Sequence, residues 1–306
     1  MTAGAAWTTQ SERSNQAMLR LMTWISLRLG RRVARVVLVG IAAYFVAFAP
    51  RARRASRDYL SRALGRRAGL RDAWRHMFSF AATVHDRVYL LNDRFDLFDI
   101  RLQGAELVDA ALADGRGVLL VGAHLGSFEV LRALSRRRGG MRVCMMMYED
   151  NARKINAALQ AINPHASHDI IALGRPDAML RLSEALDSGA VVGLLADRTL
   201  HGDGSVHLPL LGTPAPWPLG PWRIAALLRR PVLLAVGLYR GGNRYDVTFS
   251  QLADFSITAR AQRDAAMRAA AAAYAAAVQQ YCLDAPYNWF NFYDFWTTPS
   301  SPQPAR

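Results

Sequence analysis

Hydrophobic positions along this chain fall into runs of two kinds. Short apolar runs at 117–121 (GVLLV), 141–147 (broken by Arg142), 170–173 and 190–196 (AVVGLLA) are too short for helices and predict buried strands. Segments 68–92, 128–138, 151–162 and 177–188 carry helical patterning instead. Pro221 opens a further helix at 221–228, and the alanine-rich stretch 259–281 predicts a long one. Two strands, 232–239 and 245–252, flank the turn residues Gly241-Gly242-Asn243. Strands alternating with helices predict an α/β fold: a single domain with a mixed, largely parallel central sheet flanked by helices. The chain contains no internal repeat.

The N-terminus follows another pattern. Met18, Leu21, Met22, Ile25 and Leu29 share one helical face. Residues 36–49 (VVLVGIAAYFVAFA) form an uncharged apolar run that would span about 21 Å as a helix. The hydrocarbon core of a bilayer is about 30 Å thick, so an untilted crossing is out of reach. Arg28, Arg31, Arg32 and Arg35 precede the run, and Arg51, Arg53, Arg54 and Arg57 follow it. Positive flanks on both sides oppose translocation of either end. Residues 15–60 are therefore expected to be interfacial or re-entrant helices whose arginines meet an anionic membrane surface. A buried core helix with a solvated basic rim, or a single span, fits the same letters. The chain divides accordingly into a basic, membrane-associated helical region, 1–65, and an α/β domain, 66–306.

Charge sharpens this division. The 306 residues carry a net charge of +14, and among the basic residues only Lys154 is not arginine. Residues 1–75 hold fifteen arginines against Glu12, Asp58 and Asp72, which leaves the remainder near neutral. Charge gathered at one end is unlike a nucleic-acid-binding surface, and no nucleic-acid partner is expected. Cys144 and Cys282 are the only cysteines and lie far apart, so neither a cysteine zinc site nor a disulfide framework is expected. A reducing, cytoplasmic setting fits that usage.

The candidate chemistry lies where the first strand ends. Gly-Ala-His124-Leu-Gly-Ser-Phe-Glu129 leaves GVLLV, the position at which open sheets place ligands. On one helix His124 and Glu129 would be about 140° apart and could not meet. With His124 in a loop turned at Gly126, the carboxylate can reach the imidazole. A histidine oriented by a carboxylate is a general base. The same spacing also suits a capping histidine and a first-turn glutamate stabilised by the helix dipole.

At these residues the chain resembles the bacterial lipid A late acyltransferase branch of the glycerolipid (lysophospholipid) acyltransferase superfamily. The resemblance runs over most of residues 15–296. It takes in the basic hydrophobic N-terminus, GAHLGSFE, GAVVGLLADR, HLPLLGTPAP and the aromatic tail YNWFNFYDFW. It implies an acyltransferase with His124 and Glu129 as catalytic dyad. Acyl carrier protein or coenzyme A would carry the acyl thioester, which is a substrate rather than a cofactor. No cofactor and no metal are expected. The acceptor would be a hydroxyl or amine of a lipid or lipid-like molecule, and the location the cytoplasmic face of a bacterial inner membrane. Asp197 occupies the acidic position at the second strand's exit; there the lipid A enzymes typically read Asp-Gln and this chain reads Asp197-Arg198. Asp197, Arg198 and Arg175 are the candidate substrate-binding residues, the two arginines also as stabilisers of an oxyanion.

Other features allow other readings. A thioesterase or hydrolase would use Ser127 with His124 and Asp197, but no G-x-S-x-G elbow is present and Ser127 suits a helix N-cap. A non-catalytic membrane-associated protein is the remaining alternative. His165 and His168, three apart, are expected to be structural, and His201, Asp203 and His207 to be loop residues beside Asp197. In the tail, Asn288, Asn291 and Asp294 recur every three residues, as on a short helical turn; the tail either seals the core or anchors at an interface. Residues 214–222 (PAPWPLGPW) combine four prolines with Trp217 and Trp222; either an acyl groove opens toward the bilayer between this segment and the N-terminal helices, or the segment is plain core lining.

Overall fold

The structure is a computed structural model that describes residues 16–131, 141–149, 159, 162–163, 169–199 and 204–296, with the side chains of 16–22, 25 and 29 left out of the description. The expected helix at 128–138 is described only to Leu131, and four further expectations lie outside the described residues. They are the apolar stripe from Met18 to Leu29, the helix at 151–162 apart from Leu159 and Ile162, the His165–His168 pair, and the His201–Asp203 loop.

The apolar runs form the centre of a seven-stranded sheet. Its strands are β1 (Asp99–Gln103), β2 (Val118–Gly122), β3 (Val143–Tyr148), β4 (Asp169–Leu173), β5 (Val191–Leu195), β8 (Pro231–Tyr239) and β9 (Arg244–Asp254). Their order is β1-β9-β8-β2-β5-β3-β4. Only β8 and β9 pair antiparallel in this sheet, through the glycine turn, and the other neighbours are parallel. The fold is thus the expected α/β domain with a mixed, largely parallel sheet between helices.

Alternation along the strands sorts side chains to two faces. On β2 and β5, Leu119, Val121, Val192 and Leu194 join one cluster. Helices α2 (Pro50–Ala63), α5 (Ala178–Asp187), α6 (Gly220–Leu228) and α7 (Arg263–Asp284) cover that face. Val118, Leu120 and Val191 point the other way, beneath Leu38 of α1 (Gln16–Phe48), Ala82 and Leu90 of α3 (Leu70–Leu90) and Val108 of α4 (Ala105–Leu112). Each fully buried Val or Leu adds about 1.5–3 kcal/mol.

Some elements escape the sequence pattern. β1 is short and mostly exposed, and α4 is short and half-exposed. A separate two-stranded hairpin, β6 (Ser205–Leu210) and β7 (Thr213–Pro218), carries prolines at 209, 214, 216 and 218. Proline is tolerated because both strands of a two-stranded sheet are edges. Leu211 and Gly212 make its turn with φ of 50° and 82°, the signs of a type I′ hairpin. Trp217 and Trp222 are each only 1% exposed and pack edge-on or tilted against Tyr274 of α7. The groove reading of 214–222 is therefore corrected: the two indoles are core lining and present no surface to a bilayer.

The N-terminal helices pack onto this body. α2 contributes Tyr59, Leu60 and Ala63 to the core cluster of the sheet. α1 kinks at Gly30 (φ 81°, ψ 166°), and the part after Gly30 makes an angle of 97° with α2. α1 is tied down by a polar network. Arg31 donates twice to Asp86 of α3 (2.7 and 2.8 Å), and Tyr245 of β9 donates to the same carboxylate (2.8 Å). Burial works against the Asp86 charge, but His85 and Arg31 hold its pKa below the ordinary value. Removing one member of such a buried pair strands the other. Asp86→Ala should therefore destabilise the protein by about 3–5 kcal/mol in urea unfolding. A loss below about 1 kcal/mol would show that α1 is held by packing alone.

Candidate active site

β2 and β5 are parallel neighbours in a register that sets Gly122 beside Leu195. Two residues beyond each strand end stand His124 and Asp197. Equal overhangs on paired strands bring the two side chains face to face, at the carboxyl edge of the sheet. Ala196 N donates to Gly122 O (3.0 Å), which holds the two exits together, and Tyr274 Oη donates to the same carbonyl (2.8 Å).

The Asp197 carboxylate has no exposed surface. Its Oδ1 accepts from His124 Nδ1 at 2.7 Å. Its Oδ2 accepts from the His124 backbone N–H at 3.0 Å, from Trp289 Nε1 at 2.9 Å and from Asn291 Nδ2 at 2.9 Å. Arg198 follows in sequence, donating from Nε to Asn291 Oδ1 at 2.9 Å. Burial opposes the Asp197 charge, but His124, its hydrogen bonds and Arg198 outweigh it and hold the carboxyl well below the usual carboxylate range. Burial also lowers the pKa of His124, and the charge of Arg198 lowers it further, against the pull of Asp197. Asp197 is thus ionised and His124 neutral near pH 7. An ionised carboxylate can only accept, so Nδ1 carries the proton and Nε2 keeps its lone pair. The His124 side chain is 26% exposed, so the basic nitrogen belongs to a ring that solvent reaches.

The loop bearing His124 is shaped by two close approaches. Gly126 has φ 62°, and a Cβ there would lie 2.0 Å from Gly237 O of β8. Ser127 N donates to that same Gly237 oxygen at 2.8 Å. Glycine at 126 is required both by the left-handed backbone and by contact with β8. The tail clamps the loop from its other side. Phe290 N donates to His124 O (2.7 Å), Gly126 N to Asn288 O (2.9 Å), and Leu125 and Trp289 form a β-bridge. The Asn288 side chain accepts from Tyr239 N (2.8 Å) and donates to Tyr239 O (3.1 Å), which pins the tail to β8.

The candidates separate in this geometry. Asp197 takes the place on Nδ1 that the spacing assigns to Glu129. Strand register sets Asp197 opposite His124, whereas Glu129 lies in the first turn of the helix opening at Phe128, buried, its carboxylate 3.5 Å from Arg87 Nε of α3. Arg198 belongs to the site. Arg175 does not: it is exposed and ion-paired with Asp177 beyond β4, three strands from β2 or about 14 Å across the sheet. Ser127 is buried just before that helix, as an N-cap position requires. His207 lies on β6 and is exposed. The tail seals the core, and Asn288 and Asn291 both turn inward. Among the described residues no group of three or more His, Cys, Asp or Glu could hold a metal ion.

Trp289, Asn291 and His76 are the contributors that sequence reasoning missed. His76, wholly buried on α3, meets Ser56 Oγ with Nδ1 (2.9 Å) and Trp289 O with Nε2 (2.8 Å). The available signal was a histidine on a helix face shared with Ala73, Met77 and Phe80. Burial pushes the pKa of His76 down to about 4. An unfolded histidine titrates near pH 6.5, so on acidification protons reach the unfolded chain first. Stability from this group is complete above about pH 6.5 and is lost as pH falls toward 4, by about 3 kcal/mol. Unfolding free energies measured across that interval should show this slope in the wild type and lack it in His76→Gln. Equal slopes would place the titration elsewhere.

No curated protein matches the chain. The family model described as bacterial lipid A biosynthesis acyltransferase matches residues 11–298, and it does so across the loop of His124, the exit of Asp197 and the tail that joins them; the chain belongs to that family.

Proposed function

We propose that the protein transfers an acyl chain from an acyl thioester, carried by acyl carrier protein or coenzyme A, to a hydroxyl or amine of a lipid or lipid-linked acceptor. The observation that carries this reading is the His124–Asp197 pair, with Nδ1 held by a buried carboxylate and Nε2 left basic. His124 Nε2 takes the acceptor's proton as its oxygen or nitrogen attacks the thioester carbonyl carbon. The tetrahedral oxyanion then collapses, the C–S bond breaks, and the leaving thiolate takes the proton from the imidazolium. Asp197 fixes the tautomer and stabilises that imidazolium. Arg198, set beside the pair by Asn291, is the cation for the developing oxyanion. No acyl-enzyme is required.

A small apolar cavity lies between the sheet and α4. Leu120, Val143, Val191, Phe128, Leu131 and Phe249 are among its lining residues. Phe128, four residues from His124, covers Gly193 of β5, where a Cβ would come within 2.4 Å of the ring.

Purified enzyme given a radiolabelled lauroyl thioester and an under-acylated lipid A tests the reading. His124→Ala and Asp197→Asn should each lower the transfer rate by about 10²–10⁴ with the fold intact. Near-wild-type turnover by the His124 variant would overturn the assignment.

The same reading seats α1 and α2 on the cytoplasmic face of the inner membrane. No single helix among the described residues is long and apolar enough to cross a bilayer; the bent pair Gly30–Phe48 and Pro50–Ala63 qualifies only together. Buried Ala34, Leu38 and Ala42 face the body, while Trp24, Val33, Val36, Tyr44 and Phe48 are exposed, Val36 by 72%. Arg28, Arg32, Arg51 and Arg54 are exposed around them. An apolar face rimmed by arginine suits anionic headgroups. Val36→Glu with Phe48→Glu should reduce co-sedimentation with phosphatidylglycerol vesicles at least about tenfold while leaving unfolding unchanged. Unaltered sedimentation would place the membrane contact elsewhere.

A further inference from the structure

The Trp289–Phe290 peptide group touches two histidines. Its carbonyl oxygen accepts from His76 Nε2 at 2.8 Å, and its N–H donates to the backbone carbonyl of His124 at 2.7 Å. In a planar trans peptide these two atoms point in opposite directions, so a group that fixes the oxygen also aims the N–H. The Trp289 side chain adds a second contact with the site, through Nε1 to Asp197 Oδ2 at 2.9 Å. Trp289 and the N–H of the residue after it thus hold the carboxylate that orients the base and the backbone of the base itself.

His76 is built to hold that residue. A carbonyl can only accept, so Nε2 of the ring carries the proton, and the neutral ring then accepts on Nδ1 from the Ser56 hydroxyl at 2.9 Å. Ser56 lies on α2 and His76 on α3, and both are wholly buried. The ring lies against Phe290 (centroids 5.9 Å apart), Phe292 (4.7 Å) and Tyr59 (5.5 Å). Burying an imidazole among aromatic rings is costly unless both nitrogens are used, and here both are.

We propose that His76 is a positioning residue for His124, acting through the Trp289–Phe290 peptide, so that the set of the general base depends on how α2 and α3 are seated against the body. The inference rests on the reading of His124 as general base.

The two amide substitutions separate positioning from mere packing. His76→Gln keeps an N–H donor where Nε2 stood and so serves Trp289 O. His76→Asn is shorter: its amide, at the place of Nδ1, can accept from Ser56 through its oxygen but carries no donor to Trp289 O. A core truncation on β4, Ile171→Ala, controls for loss of stability. Two readouts are taken on the full chain in detergent. One is kcat and KM for the lauroyl thioester. The other is the pH midpoint for carbethoxylation of His124 by diethyl pyrocarbonate, followed by mass spectrometry. His76→Asn should lower kcat about 10–100-fold with KM within about twofold, as a misplaced catalytic group does. Its midpoint should move to lower pH as contact with Asp197 loosens. His76→Gln should restore both. Should His76→Asn fail to fold, His76→Leu, which likewise has no donor for Trp289 O, replaces it and is held to the same two criteria. Equal behaviour of the Asn and Gln variants, or changes that follow stability as in Ile171→Ala, would overturn the proposal. Full transfer by His124→Ala would instead remove the catalytic reading, while the modification midpoint would still judge the coupling of His76 to His124.

Discussion

A carboxylate without exposed surface must take every hydrogen bond from the protein. Asp197 is such a group, and much of the site's architecture follows from satisfying it. Four donors reach it, from the loop after β2 and from the tail after α7. An unpaired charge at this depth would cost several kcal/mol, so the loop and the tail are held to one arrangement. The tail's aromatic residues exclude water around that arrangement, with Trp289 packed against Tyr59 and Phe295 at 5.0 and 4.7 Å between ring centroids.

The same constraint sets the electrostatics. With Asp197 ionised and His124 neutral, the pair holds one negative charge, and Arg198 beside it supplies a compensating positive one. Arg198 is held through Asn291, which also donates to Asp197, so a single amide fixes cation and anion relative to each other. Such a site is preorganised: the polar groups that would meet developing charge are oriented before a substrate arrives.

The N-terminal helices belong to this design more closely than their composition implies. α2 shares the core of the sheet, and α3 carries both Asp86, which anchors α1, and His76, which reaches the tail. The face of α1 turned away from the body keeps its apolar side chains exposed, while its arginines at 31 and 35 turn inward to Asp86 and the β8–β9 hairpin. Arginines that look interchangeable in sequence thus divide between a structural network and a charged rim.

Elements with strong periodicity were legible in the letters. The buried strands β2, β3 and β5, the β8–β9 hairpin and the helices α3, α5, α6 and α7 follow from apolar runs, turn residues and helix formers, which act over a few residues. His124 was legible because a strand end is a local feature. β1, α4 and the proline-bearing β6–β7 hairpin were not, since their stability comes from neighbours and their own pattern is weak or misleading. Trp217 and Trp222 show the same limit: proline and tryptophan describe an amphipathic loop by composition, and only packing against Tyr274 decides that it is core. The partner of His124 was decided by tertiary structure alone. Sequence spacing favoured Glu129, five residues away. Strand register and the requirement that a buried carboxylate be fully hydrogen-bonded select Asp197, seventy-three residues away, and bring Trp289 and Asn291 to it from the end of the chain.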